Sequence, residues 1–111
     1  MTLIWQHDLA YFFGGLFLSN AIPHYVSGVM GRAFQSPFAK PPGKGLSSST
    51  VNVLWGVFNL IVAYVLLLRV GQFDLHAPDH VISLGLGLLL MGLVSAYGFG
   101  RFHGGNAPKA G

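Results

Sequence analysis

VLWGVFNLIVAYVLLL, residues 53–68, is interrupted only by Gly56 and Asn59 and carries no charged side chain. Extended back to residue 51, the run approaches the roughly 20 apolar residues that cross a bilayer as a helix. Two further runs of similar character flank it, at about 9–31 and 81–100, with no Lys, Arg, Asp or Glu in the middle of either. The last, VISLGLGLLLMGLVSAYGFG, is rich in glycine. That would argue against a helix in water, but transmembrane helices tolerate it. The composition agrees, since only 8% of the residues are charged against roughly 25% in an ordinary soluble domain. The fold class expected is therefore all-α: one polytopic membrane domain, residues 1–111, with three transmembrane helices.

The segments between the runs read as connections. RAFQSPFAKPPGKGLSSST, residues 32–50, holds Pro37, Pro41 and Pro42, which deny it a regular helix, while Ser48, Ser49 or Thr50 is suited to cap the helix that follows. VGQFDLHAPDH, residues 70–80, is short and slightly acidic, and Pro78 suits the first turn of the third helix. The tail from 102 to 111 ends in GGNAPKAG and is expected to be flexible. The opening MTLIWQHD lacks the basic residues of a cleaved signal peptide, and the run after it is too long for one.

Arg32, Lys40 and Lys44 lie in the first linker and Arg101 and Lys109 near the C-terminus, whereas Arg69 stands alone beside the second linker. Positive charge favours the cytoplasmic side, so the N-terminus is expected outside and the C-terminus inside, in the plasma or inner membrane. Trp5 and Tyr11 would then sit in the outer aromatic belt, and Trp55 and Tyr97 in the inner one. The positive charge forms no continuous stripe, which argues against nucleic-acid binding. With no cysteine, thiolate metal sites and cysteine nucleophiles are excluded.

Within the first run, SNAIPHYVSG, residues 19–28, concentrates polarity. At about 100° per residue, Asn20, His24, Ser27 and Gly31 share one helical face. Asn52, Gly56, Asn59 and Ala63 do the same on the second helix. Polar groups facing lipid are costly, so both stripes should turn toward protein. Counting depth from the linker puts Asn20 level with Asn59 and His24 near Gly56, whose missing side chain would admit the imidazole. Ser95 on the third helix falls at His24 depth. The asparagines read as interhelical hydrogen-bonding groups or as part of a ligand or ion path. Pro23 is expected to kink its helix.

His24 is the one ionisable group within a run. A neutral imidazole there has three uses: a structural hydrogen bond, axial ligation of a haem or chlorophyll-type cofactor, or a proton relay. No second histidine lies in a span to complete a two-histidine haem site, and no cofactor is indicated by a motif. On the third helix Gly85, Gly92 and Ala96 lie on one side and Ser83, Gly87 and Gly98 roughly opposite, suggesting contact with the chain's own bundle and with another polypeptide. In the linker, Phe34 and Phe38 are expected at the membrane interface, with Arg32, Lys40 and Lys44 meeting anionic headgroups or a partner. His76 and His80, near His7, Asp8, Asp74 and Asp79, are weak candidates for a metal site. PPGKGLSSS lacks the hydroxyl residue directly after lysine that a phosphate loop requires.

No nucleophile–base–acid set can be assembled, so no catalytic residue is assigned. The functions left are a small accessory or structural subunit bound to other membrane polypeptides, a homo-oligomeric transporter or channel for a small solute or ion, and cofactor binding through His24.

Overall fold

The computed structural model of the chain describes residues 4–103 and 105, with side chains from residue 7 to 102. Among them the elements run α1 (Ile4–Val29), β1 (Phe34–Gln35), β2 (Leu46–Ser47), α2 (Ser49–Tyr64) and α3 (Pro78–His103). At 1.5 Å per residue the 26 residues of α1 extend about 39 Å, enough to cross a bilayer core of about 30 Å. The side chain of Trp5 and the tail beyond residue 105 lie outside the described residues.

Local chemistry sets the helix ends. Gly31 takes a φ of 74°, in the left-handed region that favours glycine, and this ends α1 two residues short of the expected boundary. The N–H of Arg32 donates to Ser27 O at 2.9 Å and that of Gly31 to Gly28 O at 3.0 Å, the paired bonds of a Schellman cap. Ser48 caps α2, its hydroxyl accepting the N–H of Val51 at 3.2 Å. Pro78 opens α3, where its missing donor has no consequence. α2 continues into wider π turns over Val65–Val70 before it stops at Gly71.

The helices lie side by side with α1 in the middle. Gly14 meets Leu67 while Gly28 meets Ser49 and Val53, so α2 runs antiparallel to α1. Gly15 meets Leu84, and the rings of His24 and Phe99 lie 6.1 Å apart, so α3 runs parallel to it. This gathers Asp8, Asp74 and Asp79 at one end of the bundle and Arg32, Lys40, Lys44 and Arg101 at the other.

α2 with its π turns (Ser49–Val70) and α3 (Pro78–Phe102) are long and apolar enough to cross a membrane, by length and composition. α1 is as long, but its polar residues, several of them in SNAIPHYVSG, dilute its apolar content. Composition therefore supports two spans directly, where the sequence reading expects three.

The distribution of polarity is inverted relative to a protein folded in water. The largest fully buried side chains are Tyr11, His24, Gln35, Asn52, Asn59 and Ser36. Leu54, Phe58, Ile61, Tyr64 and Leu68 on α2 and its π turns, and Ile82, Leu86, Leu89 and Leu93 on α3, are each more than half exposed. Both sets recur every three or four residues, so each forms one apolar stripe along its helix.

Two expectations are corrected by the packing. The third helix does not divide into two small-residue faces. Gly87 lies so close to Phe12 O, and Gly15 to Leu84 O, that backbone meets backbone, and Gly92 also faces α1, at Ser19 Oγ. A Cβ at Gly85 or Gly98 would meet nothing within 4 Å. Tyr11 does not belong to an outer belt, being 1% exposed. Its hydroxyl accepts the N–H of Gln72 at 3.0 Å, and its ring lies where a side chain at residue 71 would otherwise be.

Candidate functional site

The polar stripes of α1 and α2 meet. The Asn20 amide nitrogen donates to Asn59 Oδ1 at 3.0 Å, and the Asn59 amide nitrogen donates to the Trp55 carbonyl at 2.7 Å. The carbonyl can only accept, so this chain fixes both amide orientations. It leaves Oδ1 of Asn20 without a protein donor among the described residues.

One turn toward the linker, Asn52 is 0% exposed and organises a second network. Its amide nitrogen faces three carbonyls, Phe34 O at 3.1 Å, Ser47 O at 3.3 Å and Ser48 O at 3.1 Å. Three acceptors around one NH2 group settle which end of the amide is nitrogen, so Oδ1 is the end 2.8 Å from His24 Nδ1. An oxygen acceptor requires a proton on that ring nitrogen. A neutral His24 is therefore the Nδ1–H tautomer, with a bare lone pair on Nε2.

This corrects the expected seat for the imidazole. The space beside Gly56 is filled by the backbone of Tyr25, whose N would lie 2.8 Å from an added Cβ. The glycine brings two helices together instead of admitting a ring. Nor does Ser95 complete the cluster from α3. Phe99, four residues further along, does so, with its ring 5.0 Å from that of Phe34. α1 runs unbroken through Pro23, which has no N–H to offer the Ser19 carbonyl. Ser27 contributes its carbonyl to the helix cap.

The linker is folded over this cluster. β1 and β2 pair antiparallel, Phe34 opposite Ser47 and Gln35 opposite Leu46. The hydroxyls of Ser36 and Ser47 bond across the ribbon, and the Ser36 hydroxyl also accepts the N–H of Phe38 at 3.1 Å. Phe34 thus turns into the bundle, its ring 5.5 Å from His24, and does not lie at the membrane interface as expected. Phe38 stays 63% exposed against the edge of Trp55. Arg32 and Lys40 are exposed, Lys44 lies over the Phe102 ring at 5.3 Å, and Arg101 covers the same ring at 4.5 Å.

Between linker and helices lies a cavity of about 140 Å³, lined by Asn20, His24, Ser36, Pro37, Gly43, Trp55 and Phe99. Ligand pockets for drug-sized molecules measure about 300–1,000 Å³. The space beside His24 therefore has no room for a macrocycle. Trp55 contributes a buried indole N–H with no partner among the described residues. On the outer side of α2, Phe38, Val51, Leu54, Trp55 and Phe58 line a larger, open groove of about 530 Å³ that is almost wholly apolar.

At the opposite end Asp8, Asp79 and His80 bring one ligand atom each within 4.8 Å of one another. The hydrogen bonding of His80 argues against its serving as a ligand there. His80 Nδ1 accepts the N–H of Asp74 at 3.0 Å, so Nε2 keeps its proton and faces Asp79 Oδ2, 3.8 Å away. His76 is not in this group, and its backbone N–H donates to Asp74 Oδ1 at 2.8 Å. Burial pushes the Asp8 carboxyl above its usual range, and the neighbouring Asp79 carboxyl pushes the same way against the weaker pull of His80 and His7.

An acid whose pKa rises on folding stabilises the fold only while protonated. That contribution is full below the ordinary value of about 3.9 and is lost as pH rises through the folded value. Asp8→Asn is therefore expected to raise the thermal midpoint at pH 7 and to leave it unchanged near pH 3. Equal midpoints for both proteins at every pH would contradict this.

No protein-family model, curated protein or solved structure matches the chain. The geometry stands alone. Of the residues expected at the site, it brings together Asn20, Asn59, His24 and Asn52. Sequence reading misses Phe99, Gln35, Ser36 and Tyr11. The two linker residues sit next to Pro37 in a segment whose prolines argue only against a helix. Tyr11 shows its role only through Gly71, sixty residues on.

Proposed function

We propose that the chain is a small multi-pass subunit of the plasma or inner membrane that packs against other membrane polypeptides. The inverted polarity carries this reading. Buried histidine and asparagines with outward leucine stripes suit lipid or a partner helix, not water. α1 serves as the third span, because its polar stripe faces α2 and its two apolar neighbours cover much of the rest. The basic end, with Arg32, Lys40, Lys44 and Arg101, lies in the cytoplasm, and the N-terminus lies outside.

The partner surface is the outer stripe of α3. There Gly85, exposed and with open space at its Cα, forms a notch among Ile82, Leu86 and Leu89 that lets another helix approach closely. A transporter or channel has less support, since Asn20, Asn52 and Asn59 bond within one chain and do not line an open path. Cofactor binding at His24 has less support because of the small space beside it.

The test is purification in mild detergent followed by native mass spectrometry. Other membrane polypeptides in fixed stoichiometry are expected, and Gly85→Leu should release them without lowering the thermal midpoint of the chain itself. A lone symmetric oligomer that passes ions in liposomes would replace this reading with the transporter.

A further inference from the structure

The cavity under the linker carries an inference beyond a packing role. Its wall holds two hydrogen-bond acceptors whose polarity is fixed by bonds elsewhere. Nε2 of His24 is bare because Asn52 Oδ1 holds the proton on Nδ1. Oδ1 of Asn20 is free because its amide nitrogen serves Asn59. The two residues are four apart on α1, so their side chains are neighbours on one face. Ser36, also in the wall, is already engaged with Ser47 and Phe38. His24 itself is only 2% exposed, so its lone pair faces the cavity and not the open surface.

A polar cavity with two or more polar partners and room for a probe sphere of about 10–15 Å³ is one that water enters. At about 140 Å³ the space meets that condition with margin, yet it excludes anything of cofactor size. The guest must donate hydrogen bonds to these two acceptors, and Trp55 in the same wall offers an indole N–H that a guest with a lone pair can satisfy. It must also be neutral, since no Asp or Glu occurs between residues 8 and 74 to balance a cation.

We propose that this cavity is a binding site for a small neutral hydrogen-bond donor, of the size of water or ammonia, held between His24 Nε2 and Asn20 Oδ1. The guest joins the linker to α1, because Ser36, Pro37 and Gly43 close the cavity from the linker side.

The test is nuclear magnetic resonance on 15N-labelled protein in lipid bilayers. His24 is expected as the Nδ1–H tautomer with an unprotonated Nε2. In ammonium-free buffer, magnetisation from water protons should reach Nε2 within milliseconds, which identifies water as the guest. Asn20→Leu should abolish that transfer while leaving the proton on Nδ1. Transfer that is absent in ammonium-free buffer but replaced by a saturable shift of Nε2 on adding ammonium chloride identifies ammonia. A wild-type protein with Nε2 protonated, or with neither transfer nor shift, overturns the proposal, whether or not the variant folds. So does transfer that survives unchanged in Asn20→Leu.

Discussion

Gly87→Ala is expected to loosen the α1–α3 contact and lower the thermal midpoint sharply, while Gly85→Ala, two residues earlier on the same helix, leaves it unchanged or slightly raised. The two substitutions add the same atom to the same helix, and both remove a poor helix former. They differ only in what the atom meets. At Gly87 it would run into the Phe12 carbonyl and approach the backbone nitrogen of Leu16, whereas at Gly85 nothing lies within 4 Å.

Backbone cannot rotate away as a side chain can. One helix must move, and this loosens the reciprocal contact of Gly15 with Leu84. Overpacking of this kind costs about 1–3 kcal/mol. The higher figure applies here, because the added atom meets main-chain atoms of both Phe12 and Leu16. Thermal unfolding in one detergent, with both variants side by side, checks the expectation. Equal midpoints for the two variants would mean that α1 and α3 do not approach along this line.

The same comparison marks how far the sequence can be read. Length and apolar content locate all three helices, and a period of 3.6 puts Asn20, His24, Asn52 and Asn59 on inward faces. Depth counting even pairs Asn20 with Asn59. What it cannot supply is the rotation of α3, because its glycines recur on several sides and only contact shows which of them meet a backbone. The His24 partner is lost for a related reason. A glycine at matching depth suggests space, but two helices drawn close enough fill that space with main chain. The linker ribbon has no periodic signal at all, being two residues per strand, and its order depends on one asparagine in the helix after it.

That asparagine leads to the other large expectation. Asn52→Leu should destabilise the fold more than Asn59→Leu and should expose the linker to protease. Losing Asn59 strands only the amide of Asn20, because the Trp55 carbonyl keeps the helical bond from the N–H of residue 59. Losing Asn52 strands the carbonyls of Phe34 and Ser47 and the Nδ1–H of His24, while Ser48 O keeps its backbone bond from residue 52. Each stranded buried group costs about 1–3 kcal/mol. Bonds between membrane helices average only about 0.6 kcal/mol, because an unfolded helix in lipid finds other partners.

The Asn59 bond to Asn20 is of that interhelical kind, so its loss should be mild. The Asn52 bonds instead tie a ribbon of two residues per strand to α2, and Asn52 itself is 0% exposed. Cleavage after Arg32 or Lys44 by trypsin reads the linker directly, Lys40 being protected by the proline that follows it. Wild-type protein should resist at temperatures where Asn52→Leu is cut, and Asn59→Leu should behave as wild type. If the two leucine variants are cut alike, the linker is held by something other than Asn52, and the fixed tautomer of His24 falls with it.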